Sequence, residues 1–430
     1  MSFYDKTLLP GGLKVVTETI PHVRSASVGV WVAAGSCWES PVNMGISHFI
    51  EHLVFKGTAR RNARQIAREI DGRGGNLNAF TSKEHTCFYA KVLDEHLPIA
   101  VDVLADMLQH SLFDPAEIAK EKGVVIEEIK MYEDVPDDLV HDLFATALWS
   151  GHALGQPIVG TEATVQGFTR DEILGYMHDH YVPGHVVVAA AGNLQHEAFV
   201  ESVARQFGPL FARPRSTVRG WPPDPAETNN SRALLRVKET EQAHMVVGMK
   251  GLHQDHDDLY ALHLLNTVLG GSTSSRLFQE IREERGLAYS VYSFQSSFRD
   301  TGNFAVYAGV SPTVMEQVLD LILRDLRQAG REGITAEELA EAKEQVKGQI
   351  MLGLESTSGR MNRLGRGELS LGRVLSPDEI TARIDAVTQD AVHELAHKLL
   401  LNEPVVLSVV GPGLDKVGWK SFGFGEVQHG

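Results

Sequence analysis

Residues 48–52 read His-Phe-Ile-Glu-His and combine two metal-binding side chains with one acid–base group. Apolar residues surround them at helical spacing, and Gly57 predicts the end of that helix. On a helix, His48 and His52 share one face, where two imidazoles form a pair of ligands for Zn²⁺. Glu51 lies beside them and can accept a proton from a water as a general base. A purely structural helix is disfavoured, because such polar groups are costly to bury without a partner.

A zinc site of this kind needs a third protein ligand. The run 121–132, Glu-Lys-Gly-Val-Val-Ile-Glu-Glu-Ile-Lys-Met-Tyr, supplies two adjacent glutamates. Glu128 is the stronger candidate for the third ligand, and Glu127 is its rival. Asp114-Pro115 is a start signal for a helix that would carry both residues.

An H-x-x-E-H motif followed by Glu128 within E-E-I-K-M-Y-E-D resembles the pitrilysin-like zinc metallopeptidases. The similarity is greatest to the branch of mitochondrial and bacterial processing peptidases. It implies that His48, His52 and Glu128 hold one Zn²⁺ per chain and that Glu51 is the catalytic base. It also implies a supporting glutamate near the ligand helix, which Glu121 matches.

The position of Glu121 helps to choose between the two candidate ligands. Glu121 precedes Glu128 by seven residues, so both lie on the same face of a helix. The residue at the corresponding position before Glu127 is Lys120, a poor neighbour for a metal ion. The spacing therefore favours Glu128.

Two further segments carry the resemblance along the chain. Asn78, Ala79 and Phe80 match a family segment that forms an edge strand and pairs with the substrate backbone. Arg282 and Tyr289 match an arginine and tyrosine pair that helps to bind the substrate carbonyl in relatives. The resemblance thus implies substrate-binding roles for the first three residues and catalytic roles for the last two.

A second histidine motif lies near the end of the sequence. Residues 393–397 read His-Glu-Leu-Ala-His, the direct form of the zinc-protease pattern. Its surroundings form an ordinary amphipathic stripe, and the nearest downstream carboxylate, Glu403, lies at the predicted helix end. The context predicts a structural helix with no metal.

Composition restricts the classes of function. The chain has 430 residues and a formal net charge of −16, which argues against general nucleic-acid binding. Cys37 and Cys87 are its only cysteines and form neither a disulfide framework nor a cysteine-type zinc site. No signal peptide or membrane-spanning run is evident in the sequence. These features predict a cytoplasmic protein without membrane or nucleic-acid partners.

An internal duplication organises the sequence. The segment around His48 aligns with the segment that begins at His263, which has Asn266 and Thr267 in place of Glu51 and His52. The second copy therefore cannot hold zinc in the same way. The predicted domains are a zinc-binding half over residues 1–213, a proline-rich linker over 214–231 and a second half over 232–430. Each half is predicted to be α+β, with helices packed on a mostly antiparallel sheet.

These observations predict a zinc metalloendopeptidase that cleaves peptides or unfolded, presequence-like segments. The resemblance further implies a chamber formed by two chains of this size, and hence a homodimer. The alternative is a non-catalytic or partner-dependent subunit of a processing-peptidase-like complex, because the family contains metal-free scaffold subunits.

Overall fold

The chain forms an α+β fold with two similar halves, as the sequence predicts. The computed structural model describes residues 3–208 and 232–429, so the predicted linker over 214–231 falls outside the described residues. Two compact units are present. The first lies within Met1–Ile129, Pro157–Pro222 and Met351–Ser376, and the second within Lys130–Gln156, Pro223–Ile350 and Pro377–Gly430.

The regular elements of the described residues are numbered in chain order. The strands are β1 (Asp5–Leu8), β2 (Lys14–Thr19), β3 (Ser25–Val32), β4 (Asn76–Thr81), β5 (Thr86–Leu93), β6 (Val186–Gly192), β7 (Arg232–Val237), β8 (Ala243–Gly251), β9 (Ala288–Ser297), β10 (Gly302–Val310), β11 (Val406–Gly411) and β12 (Glu426–His429). The α-helices are α1 (Ile46–Leu53), α2 (Ala63–Asp71), α3 (Leu97–His110), α4 (Pro115–Asp134), α5 (Pro136–Leu148), α6 (Glu162–Gly167), α7 (Arg170–His180), α8 (His196–Gln206), α9 (Leu259–Gly270), α10 (Met315–Glu332), α11 (Ala336–Gly353), α12 (Thr357–Leu371), α13 (Pro377–Ala386) and α14 (Gln389–Asn402).

The sheet of the first unit has the strand order β1-β2-β6-β3-β5-β4 within the described residues. Neighbouring strands are antiparallel except β2 and β6, which are parallel. The central strands β3 and β6 are rich in valine and alanine and are buried almost throughout, as expected for strands covered on both faces. Strand β4 lies at one edge of this sheet.

One face of this sheet is covered by α12, a helix from late in the sequence. The Ser27 hydroxyl lies 2.9 Å from that of Thr357, and the Trp31 indole N–H donates to the sulfur of Met361 at 3.4 Å. An added Cβ at Gly365 would overlap the Trp31 indole, so this close approach requires glycine. The central strand β3 therefore packs against a helix that lies more than three hundred residues later in the sequence.

The sheet of the second unit repeats this plan. Its order over the described strands is β12-β7-β11-β8-β10-β9, with parallel pairing at β12–β7 and β7–β11 and antiparallel pairing elsewhere. Helix α5 packs on this sheet, where the Ser408 hydroxyl donates to the carbonyl of Val140 at 2.8 Å. The apolar core of the second unit lies between this sheet and the helices α9, α10, α11, α13 and α14.

The two halves also repeat Tyr-Ala at residues 89–90 and 307–308 and Thr-x-Asp at 169–171 and 388–390, and these residues have equivalent positions in the two units. Tyr89 lies in β5 and Tyr307 in β10, and each of these strands is next to the edge strand at its end of the sheet. Thr169 and Thr388 each cap a helix, α7 and α14, by accepting a backbone N–H. The aligned residues therefore mark one fold that occurs twice.

Several details differ from the sequence predictions. The zinc-motif helix ends at Leu53, so the prediction that Gly57 caps it is wrong; Gly57 has φ +132° and forms a short bridge with Asn62. The pair Ser311-Pro312 predicts a cap followed by an α-helix, but the segment begins with a 3₁₀ turn and becomes α-helical only at Met315. No helix among residues 3–208 and 232–429 has the length and apolarity needed to cross a membrane.

Candidate metal centre

Helix α1 positions the two histidines of the motif. Their ring centroids lie 4.6 Å apart, with His48 buried and His52 partly buried. Both residues lie on one face because four residues span slightly more than one helical turn. The first unit therefore presents two imidazoles side by side.

The N-terminus of α1 is held by a carboxylate from outside the helix. Both oxygens of Glu39, a buried residue, accept backbone N–H groups, from Gly45 at 2.6 Å and Ser47 at 2.8 Å. Gly45 precedes the helix with φ +91° and provides no side-chain cap. Burial raises the pKa of Glu39 to about 7, against the lowering effect of these two hydrogen bonds. Glu39 thus serves as the cap that Gly45 cannot supply.

Helix α4 brings Glu128 to both imidazoles. Its Oε1 lies 3.6 Å from Nε2 of His48, and its Oε2 lies 3.4 Å from Nε2 of His52. Tetrahedral zinc with ligand bonds near 2.1 Å separates its ligand atoms by about 3.4 Å, so this spacing fits one ion. Among the described residues, these three form the one histidine, cysteine and carboxylate group that could hold a metal. The rival, Glu127, is exposed and lies outside this group.

The group of His48, His52 and Glu128 is supported by a second carboxylate. Glu121 is buried on α4, and its carboxylate lies 2.9 Å from Nδ1 of His52 and 2.7 Å from Nζ of Lys56. A carboxylate on the outer nitrogen of a metal-binding histidine fixes the tautomer that leaves Nε2 free for the ion. The structure therefore places Glu121 where the sequence resemblance implies a supporting role.

The electrostatics of this group also suit a cation. Burial lowers the pKa of His48 to about 4. Burial would also lower the pKa of His52, but Glu121 and Glu128 outweigh it and raise that pKa to about 9. A hydrogen bond from His52 lowers the pKa of Glu128. Nδ1 of His48 is buried without a hydrogen-bond partner among the described residues. The carboxylates of Glu121 and Glu128 therefore place negative charge beside the imidazoles, which favours binding of a cation there.

Glu51 lies on the same helix and meets the edge of the sheet. Its Oε2 accepts a hydrogen bond of 2.6 Å from the hydroxyl of Thr81, the last residue of β4. Burial raises the pKa of Glu51, and the bond from Thr81 opposes that effect. A raised pKa is what a carboxylate needs to act as a proton acceptor near neutral pH.

The predicted substrate-binding residues Asn78, Ala79 and Phe80 lie in β4, which is an edge strand of the described sheet. Each pairs with a residue of β5 on one side only. An edge strand of this kind can accept an extended peptide by main-chain hydrogen bonding. The geometry is compatible with the predicted role, which stays a prediction.

Arg282 and Tyr289 lie in the second unit, beside one another. The guanidinium carbon of Arg282 is 5.1 Å from the Tyr289 ring centroid, and Tyr289 is 77% exposed. Two backbone irregularities position them: Arg282 lies in the π-helical segment Phe278–Glu284, and Tyr289 is the extra residue of a β-bulge in β9. Such irregularities are frequent at functional sites because they redirect side chains.

The second histidine motif lies on α14 in a structural setting. Val392, Leu395, Ala396 and Leu399 face the core of the second unit. His393 Nε2 lies 3.1 Å from the carbonyl oxygen of Arg331. No metal-binding group includes these histidines in the part of the chain that the structure describes.

Sequence reasoning missed three residues of this site. Glu39, Lys56 and Thr81 make the contacts described above, yet none belongs to the histidine motif. Lys56 follows His52 by only four residues, so its closeness to the motif in the sequence was an available signal. Glu39 and Thr81 carry no such signal, because loops and a strand bring them to α1.

A partly buried His-His-Glu group next to Glu51, on a duplicated α+β fold, is typical of a metallopeptidase site. A model of the insulinase family, peptidase family M16, matches residues 14–162, and a model of the peptidase M16 inactive domain matches residues 167–346. The chain therefore belongs to peptidase family M16, and the resemblance seen in the motifs is confirmed.

Sequence relatives and solved structures match the chain over nearly its whole length. The chain is 49% identical to the uncharacterized zinc protease YmxG of Bacillus subtilis, over 93% of this chain and 96% of that protein. It is 46% identical to an uncharacterized zinc protease of Streptomyces coelicolor, over 96% of this chain and 90% of that protein. A crystal structure of a protease from Helicobacter pylori has a TM-score of 0.88 at 22% identity, over 95% of this chain and 99% of that one. A peptidase M16 inactive domain from Pseudomonas fluorescens also has a TM-score of 0.88, at 20% identity, over 96% and 98%.

Proposed function

We propose that this chain is a zinc-dependent endopeptidase that cleaves peptides or unfolded, presequence-like segments. The observation that carries the proposal is the spacing of His48, His52 and Glu128, whose ligand atoms lie within 4.8 Å of one another beside Glu51. Family membership and the names of the relatives as zinc proteases support the same conclusion.

The chain's own residues have separate tasks in this proposal. Zinc, when bound, would supply Lewis-acid chemistry by acidifying water and polarising the scissile carbonyl. Glu51 accepts the proton of the attacking water and returns it to the leaving amine. The edge strand β4 holds the substrate backbone in an extended form. Arg282 and Tyr289 donate hydrogen bonds to the negative charge that develops on the carbonyl oxygen.

The assignment of ligand and base can be tested by metal analysis. Glu128→Gln should lose much of its zinc, because a charged ligand is replaced by a neutral amide. Glu127→Gln is the matched control, since it changes the adjacent glutamate on the exposed side of the helix, and it should keep both zinc and peptidase activity. Full zinc occupancy in Glu128→Gln, or loss of zinc in Glu127→Gln, would contradict the proposed ligand set.

The proposal includes a homodimer in which Arg282 and Tyr289 of one chain serve the zinc centre of the other. It rests on the resemblance, in which the zinc site faces the second half of the opposite subunit. We also expect a reducing cytoplasmic setting, because Cys37 and Cys87 are both free and buried.

Mixed dimers test this sharing. One chain carries Glu51→Gln, and its partner carries Arg282→Ala with Tyr289→Phe. Each pure homodimer should be nearly inactive. The mixed dimer has one site with all lesions and one with none, so it should regain up to about half of normal activity per dimer. If the subunits exchange and no activity returns, the shared-site arrangement is wrong, although the zinc assignment would stand.

A further inference from the structure

The hydroxyl of Thr81 lies at the junction of the candidate base and the edge strand. It is 2.6 Å from Oε2 of Glu51 and 3.3 Å from the hydroxyl oxygen of Thr86, the residue paired with Thr81 across β4 and β5. The hydroxyl of Thr86 donates to the carbonyl oxygen of Ala34 at 2.8 Å. The two hydroxyls therefore lie next to one another, one facing Glu51 and the other facing the backbone at Ala34.

Counting hydrogens shows which acceptor each hydroxyl serves. Each hydroxyl has one hydrogen to donate, whereas a carbonyl or an ionised carboxylate only accepts. The Thr86 hydrogen is used by Ala34, so Thr86 has none for Thr81. The Thr81 hydrogen points at Glu51 and takes one lone pair of Oε2. Oε1 accepts no hydrogen bond from the described residues, so it is the oxygen that Glu51 can best offer to a water.

We infer that Thr81 is a positioning residue for the general base. Its hydrogen bond holds the Glu51 carboxylate against the edge strand β4 and leaves Oε1 directed at the attacking water. This inference deepens the proposed peptidase function and rests on it. Among the described residues, Thr81 makes no hydrogen bond to His48, His52 or Glu128. Loss of its hydroxyl should therefore slow the proton transfer to Glu51. It should leave metal binding unchanged.

The place of Thr81 in the fold gives the bond a second consequence. Thr81 is the last residue of β4, directly after Phe80, and its position is set by pairing with Thr86. A peptide backbone added to the free edge of β4 would restrict this strand further. Binding of an extended substrate at β4 would therefore also help to fix the orientation of Glu51.

Steady-state kinetics on an unstructured peptide, with zinc content measured for every variant, tests the inference. Thr81→Val removes the hydroxyl and nearly preserves the shape of the side chain, while Thr81→Ser keeps the hydroxyl. Thr19→Val is the matched control, because its hydroxyl donates to the Leu194 carbonyl in the same sheet, away from α1. Thr81→Val should lose about ten- to a hundredfold in kcat with KM nearly unchanged and zinc retained. Thr81→Ser should stay within about threefold of the wild type, as should Thr19→Val.

Three outcomes, two kinetic and one from metal analysis, would overturn the inference while the peptidase function stands. They are wild-type kcat in Thr81→Val, an equal loss in Thr81→Ser, and loss of zinc in Thr81→Val. If the wild-type protein binds zinc but does not cleave the peptide, the proposed peptidase function itself is contradicted.

Crystal structures of the wild type and both variants give a readout that needs no activity. Glu51 should have one carboxylate conformer in the wild type and in Thr81→Ser, and more than one in Thr81→Val. A single, unchanged Glu51 conformer in Thr81→Val would show that Thr81 does not position the base.

Discussion

The carboxylate of Glu121 should contribute strongly to zinc affinity without touching the ion. It is ionised near neutral pH: burial would raise its pKa, but its bonds to His52 and Lys56 lower it. Glu121→Gln keeps an oxygen that accepts from Nδ1 of His52, so the tautomer survives. The variant loses the negative charge next to the imidazole of His52. It also leaves the ammonium group of Lys56 without its counter-charge, since in the wild type that group lies 2.7 Å from a Glu121 oxygen.

The size of the effect follows from these two losses. Removing a partner of this kind from a metal-binding histidine weakens metal binding by about ten- to a hundredfold. Because the uncompensated lysine adds unfavourable charge, we expect the upper end, about a hundredfold or ~2.7 kcal/mol. Glu121→Ala should be weaker still, since it also removes the hydrogen bond that orients the ring.

Competition with a chromophoric chelator at neutral pH measures this affinity. The matched control is Glu117→Gln, which removes a carboxylate one turn earlier on α4, where it pairs with exposed Lys120. The control should bind zinc like the wild type, because exposed ion pairs contribute little. A dissociation constant for Glu121→Gln within about threefold of the wild-type value would refute the reasoning, as would an equal loss in Glu117→Gln.

Three other predictions follow from the site. Glu51→Gln should keep zinc and lose peptide hydrolysis, because the amide can hold a water but cannot take its proton; metal analysis beside an activity assay checks this. The double variant His393→Ala with His397→Ala should keep zinc and activity, whereas His48→Ala should lose both, and the reverse result would move the site to α14. Since His52 has a pKa of about 9 without metal and must be neutral to bind it, zinc affinity should rise about tenfold per pH unit up to about pH 9. Calorimetry in buffers of different ionisation enthalpy should then show about one proton released per zinc below that pH, and release of none would contradict it.

The local pattern was enough to predict the helix α1 and the pairing of its histidines. Four-residue and seven-residue spacings report directly on which side chains share a helical face, and they placed His48 with His52 and Glu121 with Glu128. The fold class and the duplication were also predictable, because each repeat retains the same strand and cap positions.

Contacts between distant segments could not be predicted in the same way. Thr81 contacts α1 from a strand and Glu39 contacts it from a loop. Residue spacing in the sequence does not predict contacts of this kind. The end of α1 was misplaced because Gly57 resembles a cap, whereas the chain leaves the helix at Leu53. The π-helical segment and the bulge at Tyr289 depend on register, which a sequence pattern does not specify at single-residue resolution.

The cover that α12 provides for the first sheet has a consequence for synthesis on the ribosome. Residues 351–376 belong to the first unit and residues 130–156 to the second, so neither unit is a continuous stretch of chain. The apolar face at Trp31 stays without its helix until Met361 and its neighbours have left the exit tunnel. The N-terminal unit cannot finish folding early, although nascent domains often do. A gene cut between residues 213 and 214 would yield a first half with an uncovered sheet, prone to chaperone binding or aggregation until the missing helix is supplied.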